Sequence, residues 1–84
     1  METIDGLITI VQESRFQLTD DAGVSHLFIL SYKAAAEPEQ LSPLQKRQAR
    51  VRVTCSAHEG PTGRIAYSIA LIGDTPRQSR EHRP

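Results

Sequence analysis

Apolar and polar residues alternate with a period of two along most of this chain, the spacing of a strand that buries one face. The pattern is plainest at residues 49–58, where Ala49, Val51, Val53, Cys55 and Ala57 form one row and Arg50, Arg52, Thr54, Ser56 and His58 the other. Residues 15–19 repeat it, with Phe16 and Leu18 opposite Arg15, Gln17 and Thr19, and residues 64–71 set Ile65, Tyr67, Ile69 and Leu71 against Arg64, Ala66, Ser68 and Ala70. Two other runs are apolar without clean alternation. Leu7-Ile8-Thr9-Ile10-Val11-Gln12 follows Gly6, is rich in β-branched residues and is too short for a core helix, which predicts a first strand. Residues 24–32 carry large apolar side chains in both rows, Phe28 and Leu30 in one and Leu27 and Ile29 in the other, which predicts a central strand or one covered on both faces.

The punctuation between these runs sets the connections. Asp20-Asp21-Ala22-Gly23 offers turn-capping carboxylates and a glycine able to take positive φ, so a hairpin is expected, with both aspartates explained by the turn. Residues 34–48 replace β-branched residues with Ala, Glu, Gln, Leu and Lys, and place Pro38 and Pro43 where a first helical turn tolerates proline. One or two short helical turns are expected there, with Ser42 as an N-cap and Leu41 and Leu44 closing one end of a barrel. Residues 59–63, with two glycines and a proline, form the last loop. The order is β-β-β-α-β-β: an all-β, small five-stranded OB-type barrel with a short helical segment between strands three and four. An SH3-like barrel ranks second because it does not need that insertion. Residues 1–73 form the OB-like domain; residues 74–84 hold no large apolar side chain and are expected to be a disordered tail.

The stretch from Val11 to Gly23, continued by His26-Leu27-Phe28-Ile29-Leu30, resembles a group of short bacterial proteins with an OB-like fold and no assigned activity. The resemblance covers residues 6–71. It implies the fold and a bacterial cytosolic setting, and brings no catalytic residue with it.

With 84 residues the chain suits one domain; Trp is absent and aromatics make up 5%, so Val, Ile and Leu must fill the core. A lone cysteine, Cys55, excludes an internal disulfide, the first five residues lack a signal-peptide pattern, and no apolar run approaches membrane-spanning length, so a cytoplasmic location is expected. Net charge is zero but unevenly distributed: Asp5, Glu13, Asp20, Asp21, Glu37 and Glu39 precede residue 40, whereas Lys46, Arg47, Arg50, Arg52, Arg64, Arg77, Arg80 and Arg83 follow it.

Candidate chemistry is sparse. His26, His58 and His82 are scattered, and Cys55 and His58 fall on opposite faces of a strand, so no metal site and no cofactor is expected. There is no nucleophile elbow and no phosphate-binding glycine loop, so no catalytic residue is assigned and an enzyme is not expected. OB barrels commonly bind single-stranded nucleic acid across strands two and three and the adjoining loops, so Arg15, Gln17, Phe28 and Arg64 are candidate contacts, Phe28 or Tyr32 as the stacking ring. Arg50 and Arg52 form a second basic row that also fits a solvated face. The competing expectation is a protein-interaction or homodimerisation module, monomeric or weakly dimeric, that uses an apolar surface on strand three. Arg77, Arg80 and Arg83 add positive charge to the tail.

Overall fold

A computed structural model describes residues 1–34, 36–60 and 63–73. The expected tail at residues 74–84 lies outside the described residues. Five strands, β1 (Glu2–Gln12), β2 (Arg15–Asp20), β3 (Ser25–Leu30), β4 (Arg50–Cys55) and β5 (Arg64–Gly73), close into a barrel in the order β1-β2-β3-β5-β4. All neighbours are antiparallel except β3 and β5, which pair in parallel. A 3-10 turn (Pro38–Gln40) and the short helix α1 (Leu41–Lys46) lie between β3 and β4. This is the OB-type barrel expected from the order of elements.

β1 is long because it serves two neighbours. Its first half pairs with β4, from Glu2 opposite Cys55 to Leu7 opposite Arg50, and its second half pairs with β2, from Gly6 opposite Asp20 to Gln12 opposite Arg15. The strand therefore starts five residues before the run at residues 7–12, through Thr3, Ile4 and Asp5. Gly6 sits where the two pairings overlap, and a Cβ there would run into the backbone carbonyl of Thr19, so only glycine fits. The Glu13-Ser14 turn leads into β2, and the predicted hairpin then forms: Gly23 takes φ +86°, and Asp20 Oδ1 accepts from the N–H groups of Ala22 and Val24 at 2.9 Å each.

The core collects the inward rows: Ile8, Phe16, Leu18, Phe28, Leu30, Ala49, Val51, Val53, Cys55 and Ala66, joined by Leu41 from α1, with Leu44 packed against it. Leu41 and Leu44 thus supply the small apolar face that the sequence suggests. The helix start differs from the expectation at Ser42, which lies inside α1; the chain enters the preceding 3-10 turn through Glu37, whose N–H donates to Gln40 Oε1 at 2.7 Å. At its other end α1 stops with Gln48 at φ +53°, the Gln48 N–H bonded to the Gln45 carbonyl and the Ala49 N–H to the Leu44 carbonyl, a Schellman motif without glycine.

Two expectations about faces are corrected. β3 is central, hydrogen-bonded to β2 on one side and β5 on the other, as the first alternative has it, but it is not covered on both faces: α1 packs on β1, and Leu27 is exposed and Ile29 half-buried. In β5 the row of Ile65, Tyr67, Ile69 and Leu71 does not run unbroken, because the register with β4 slips at Tyr67; Ala66 fills the core before the slip and Ile69 packs against it afterwards. Among the described residues no helix is long and apolar enough to cross a membrane.

Candidate binding face and ion-pair network

Register decides which side chains share the outer face of β1, β2 and β3. Across β2 and β3, Arg15 stands opposite Ile29, Gln17 opposite Leu27 and Thr19 opposite Ser25; across β1 and β2, Gln12 stands opposite Arg15 and Ile10 opposite Gln17. Ile10 reaches this face because the β1–β2 register slips between Ile8 and Ile10. Simple alternation would keep Ile8 and Ile10 together, yet Ile8 is buried and Ile10 is 53% exposed. Leu27 is equally exposed. A groove of about 370 Å³ lies here, lined by Ile10, Gln12, Arg15, Gln17 and Leu27 over the Phe16 and Phe28 positions. Beside it Thr9, Thr19 and Ser25 link hydroxyls at 3.5 and 3.3 Å. Ile10 is the residue that periodicity missed, since a bulge leaves no mark in hydrophobic spacing.

The sequence candidates separate into three groups. Arg15 and Gln17 line the groove, and Arg15 has no ion pair among the described residues. Phe28 does not present a ring to a base: it is 1% exposed and stacked on Phe16, with ring centroids 5.1 Å apart. The reason is register, because Phe28 stands opposite Phe16 and must share its inward face. Tyr32, just beyond β3, is exposed, with Lys33 Nζ 5.6 Å from its ring centroid.

The third group is the arginines, all engaged with acids from β1 and the β2–β3 turn. Arg52 makes a bidentate pair with Asp5, at 2.8 and 2.9 Å. Arg50 pairs with Asp21 through both Nε and Nη2. Arg64 Nη1 donates to Glu2 Oε1 at 3.0 Å and to the carbonyls of Ser56 and Ala57 at 3.1 and 3.2 Å. Asp21 is thereby an ion-pair partner of β4, and only Asp20 caps the turn. Asp20 Oδ2 also lies 2.8 Å from His26 Nε2. These groups line an open pocket of about 570 Å³ with Thr3, Ile4, Asp5, Ala22 and Arg52.

The electrostatic consequences follow from these contacts. Asp20 is held below the usual carboxylate range, first by its hydrogen bond with His26 and next by the Val24 N–H; Asp5 is lowered above all by its hydrogen bond from Arg52. Arg50 and Arg52 are raised by the same pairings. Burial pushes the Cys55 thiol up, which keeps it in the unreactive protonated form at neutral pH. His58 is exposed beyond the end of β4, and among the described residues no group of three or more His, Cys, Asp or Glu is arranged to hold a metal ion.

Comparison of the chain with protein-family models, curated proteins and solved structures found no match.

Proposed function

We propose that this barrel is a non-catalytic binding module, that its working surface is the outer face of β1, β2 and β3, and that its ligand is a protein segment presenting an apolar side chain beside a carboxylate. The observation that carries this reading is the groove in which exposed Ile10 and Leu27 flank Gln17, with Arg15 as its one charged lining residue. An apolar side chain entering between Ile10 and Leu27 removes apolar area from water on both partners. Arg15, with no ion pair among the described residues, supplies a planar donor pair for a carboxylate, and the Gln12 and Gln17 amides can bond a passing backbone.

Binding of a nucleic-acid strand asks for different groups: rings on which bases stack and several cations along the phosphates. On this face the aromatic rings are turned inward and Arg15 stands alone, while Arg50, Arg52 and Arg64 already neutralise acids. These features favour a protein ligand over the single-stranded nucleic acid expected from the fold class.

Selection of displayed random peptides against the protein, with Leu27→Glu protein as the counter-target, tests the reading. Retained peptides are expected to carry Asp or Glu next to a large apolar residue and to shift the amide resonances of Ile10, Gln17 and Leu27. They should bind Arg15→Glu protein at least about tenfold more weakly, about 1.4 kcal/mol. Mixed-sequence single-stranded DNA and RNA should shift none of these resonances at low salt. Oligonucleotide binding that fades with salt and with Arg15→Glu would assign the face to nucleic acid, and failure to recover any Leu27-dependent peptide would remove the face as the binding surface.

A further inference from the structure

The barrel closes through a short seam on one side. β5 is ten residues long, but only Arg64, Ile65 and Ala66 pair with β3, opposite Phe28, Ile29 and Leu30. Beyond the bond from the Ser31 N–H to the Ala66 carbonyl, residues 67–73 pair with β4 alone, and among the described residues no backbone partner meets their other edge. Tyr67 and Leu71 are exposed there, 39% and 53%. Leu71 is informative because it stands opposite Val51, which is fully buried, and paired residues of an antiparallel ladder share a face. It therefore belongs to the core row, and it is exposed because among the described residues no strand lies beside it.

Sheet edges are normally blunted by charge, proline or a covering group. Another partly unpaired strand, β1, shows such protection: its second half is met by α1, where Gln45 Nε2 donates to the Thr9 carbonyl at 2.8 Å, and its first half carries Glu2 and Asp5. β5 has neither. From Ile65 to Gly73 the sequence holds no charge and no proline. Register slips at either end leave residues 68–71 as a regular four-residue edge opposite residues 51–54 of β4.

We infer that this edge pairs with the same edge of a second copy of the chain, antiparallel about a two-fold axis through Ala70, forming a continuous sheet across two barrels. The register is fixed by the faces. Pairing Ala70 with Ala70 of the second copy puts Ile69 opposite Leu71 of that copy, both in core rows, so each exposed Leu71 gains the apolar neighbour it lacks. Ala70, exposed and small, puts neither bulk nor charge where the two copies meet at the axis. An uncharged edge with this internal symmetry is complementary to itself, whereas a strand flanked by charges has no group here to meet them.

Sedimentation of the full chain across a concentration series tests the inference, with amide hydrogen exchange recorded on the same samples. Expected is a species of twice the 9.3 kDa chain mass, with residues 68–71 gaining protection as the concentration rises. Ala70→Lys places two cations at the axis and should raise the dissociation constant at least about tenfold while leaving the far-ultraviolet circular dichroism spectrum unchanged. Leu71→Glu should act in the same direction, and Leu27→Glu should leave the dimer intact. A monomer at every concentration overturns the inference, as does a dimer indifferent to Ala70→Lys. Concentration-independent protection of residues 68–71 in a monomer would show the edge covered by the chain's own residues 74–84. A dimer broken by Leu27→Glu instead would place self-association on the outer face, overturning the β5 seam.

Discussion

Adjacent on β3, Leu27 lies open across from Gln17 while Phe28 is stacked on Phe16 inside the barrel. Their contributions to stability should differ accordingly. Phe28→Ala removes a buried ring and is expected to cost about 3–5 kcal/mol, whereas Leu27→Glu should change stability by no more than about 0.5 kcal/mol, both read from urea midpoints at constant slope. The sequence could not choose between the two residues because both rows of residues 24–32 are apolar. It does orient β2, since Phe16 and Leu18 have polar neighbours, but the step that places Phe28 inside is its position opposite Phe16, and cross-strand register has no local signature. The same gap accounts for the arginines. Arg50 and Arg52 are legible as an outward row, while their partners Asp21 and Asp5 lie 29 and 47 positions away.

At the scale of elements, the clean alternation of residues 15–19 and 49–58 was enough to place β2 and β4 on the correct faces. β1 and β5 were read less well, for one physical reason: each contains a register slip, at Thr9 and at Tyr67, and an extra residue reverses the phase of everything beyond it. Both slips have visible results, since one brings Ile10 to the outer groove and the other puts Ile69 and Leu71 in the core row. The helical segment was recognisable from composition, but its end was not, because the residue in the left-handed position is Gln48 and the usual glycine signal is missing. A β-carbon at φ +53° is strained, so Gln48→Gly should raise stability by up to about 1 kcal/mol, the relief of strain being partly offset by the freer unfolded chain. A thermal melt reads this as an increase of about 4–8 °C per kcal/mol for a domain of this size. No increase would mean that the Gln48 side chain supports the helix end in another way.

Across the whole molecule, the acids of the first third and the bases of the second half meet. Glu2, Asp5 and Asp21 each hold an arginine of β4 or β5, and Asp20 ties the β2–β3 turn to His26. Asp5 and Asp20 have folded-state pKa values below their unfolded ones, so the stability they contribute is present above the unfolded value of about pH 4 and is lost as pH falls through the folded value. Asp5→Asn should therefore unfold at lower urea than the parent at pH 7, with the difference shrinking below about pH 4 as Asp5 itself becomes neutral. A gap that stays constant down to pH 2 would show that the Asp5–Arg52 contact acts through packing and not through charge.

The same three clasps bear on how the barrel comes together. A break between β3 and the 3-10 turn would divide the chain into a leading piece of net negative charge and a trailing piece of net positive charge, with Glu2, Asp5 and Asp21 on the first and Arg64, Arg52 and Arg50 on the second. The two pieces attract before any ladder has formed, and on docking each guanidinium finds its own carboxylate. Fragments divided there are expected to associate when mixed, and less so as salt rises, with charge supplying the attraction and apolar packing the final fit.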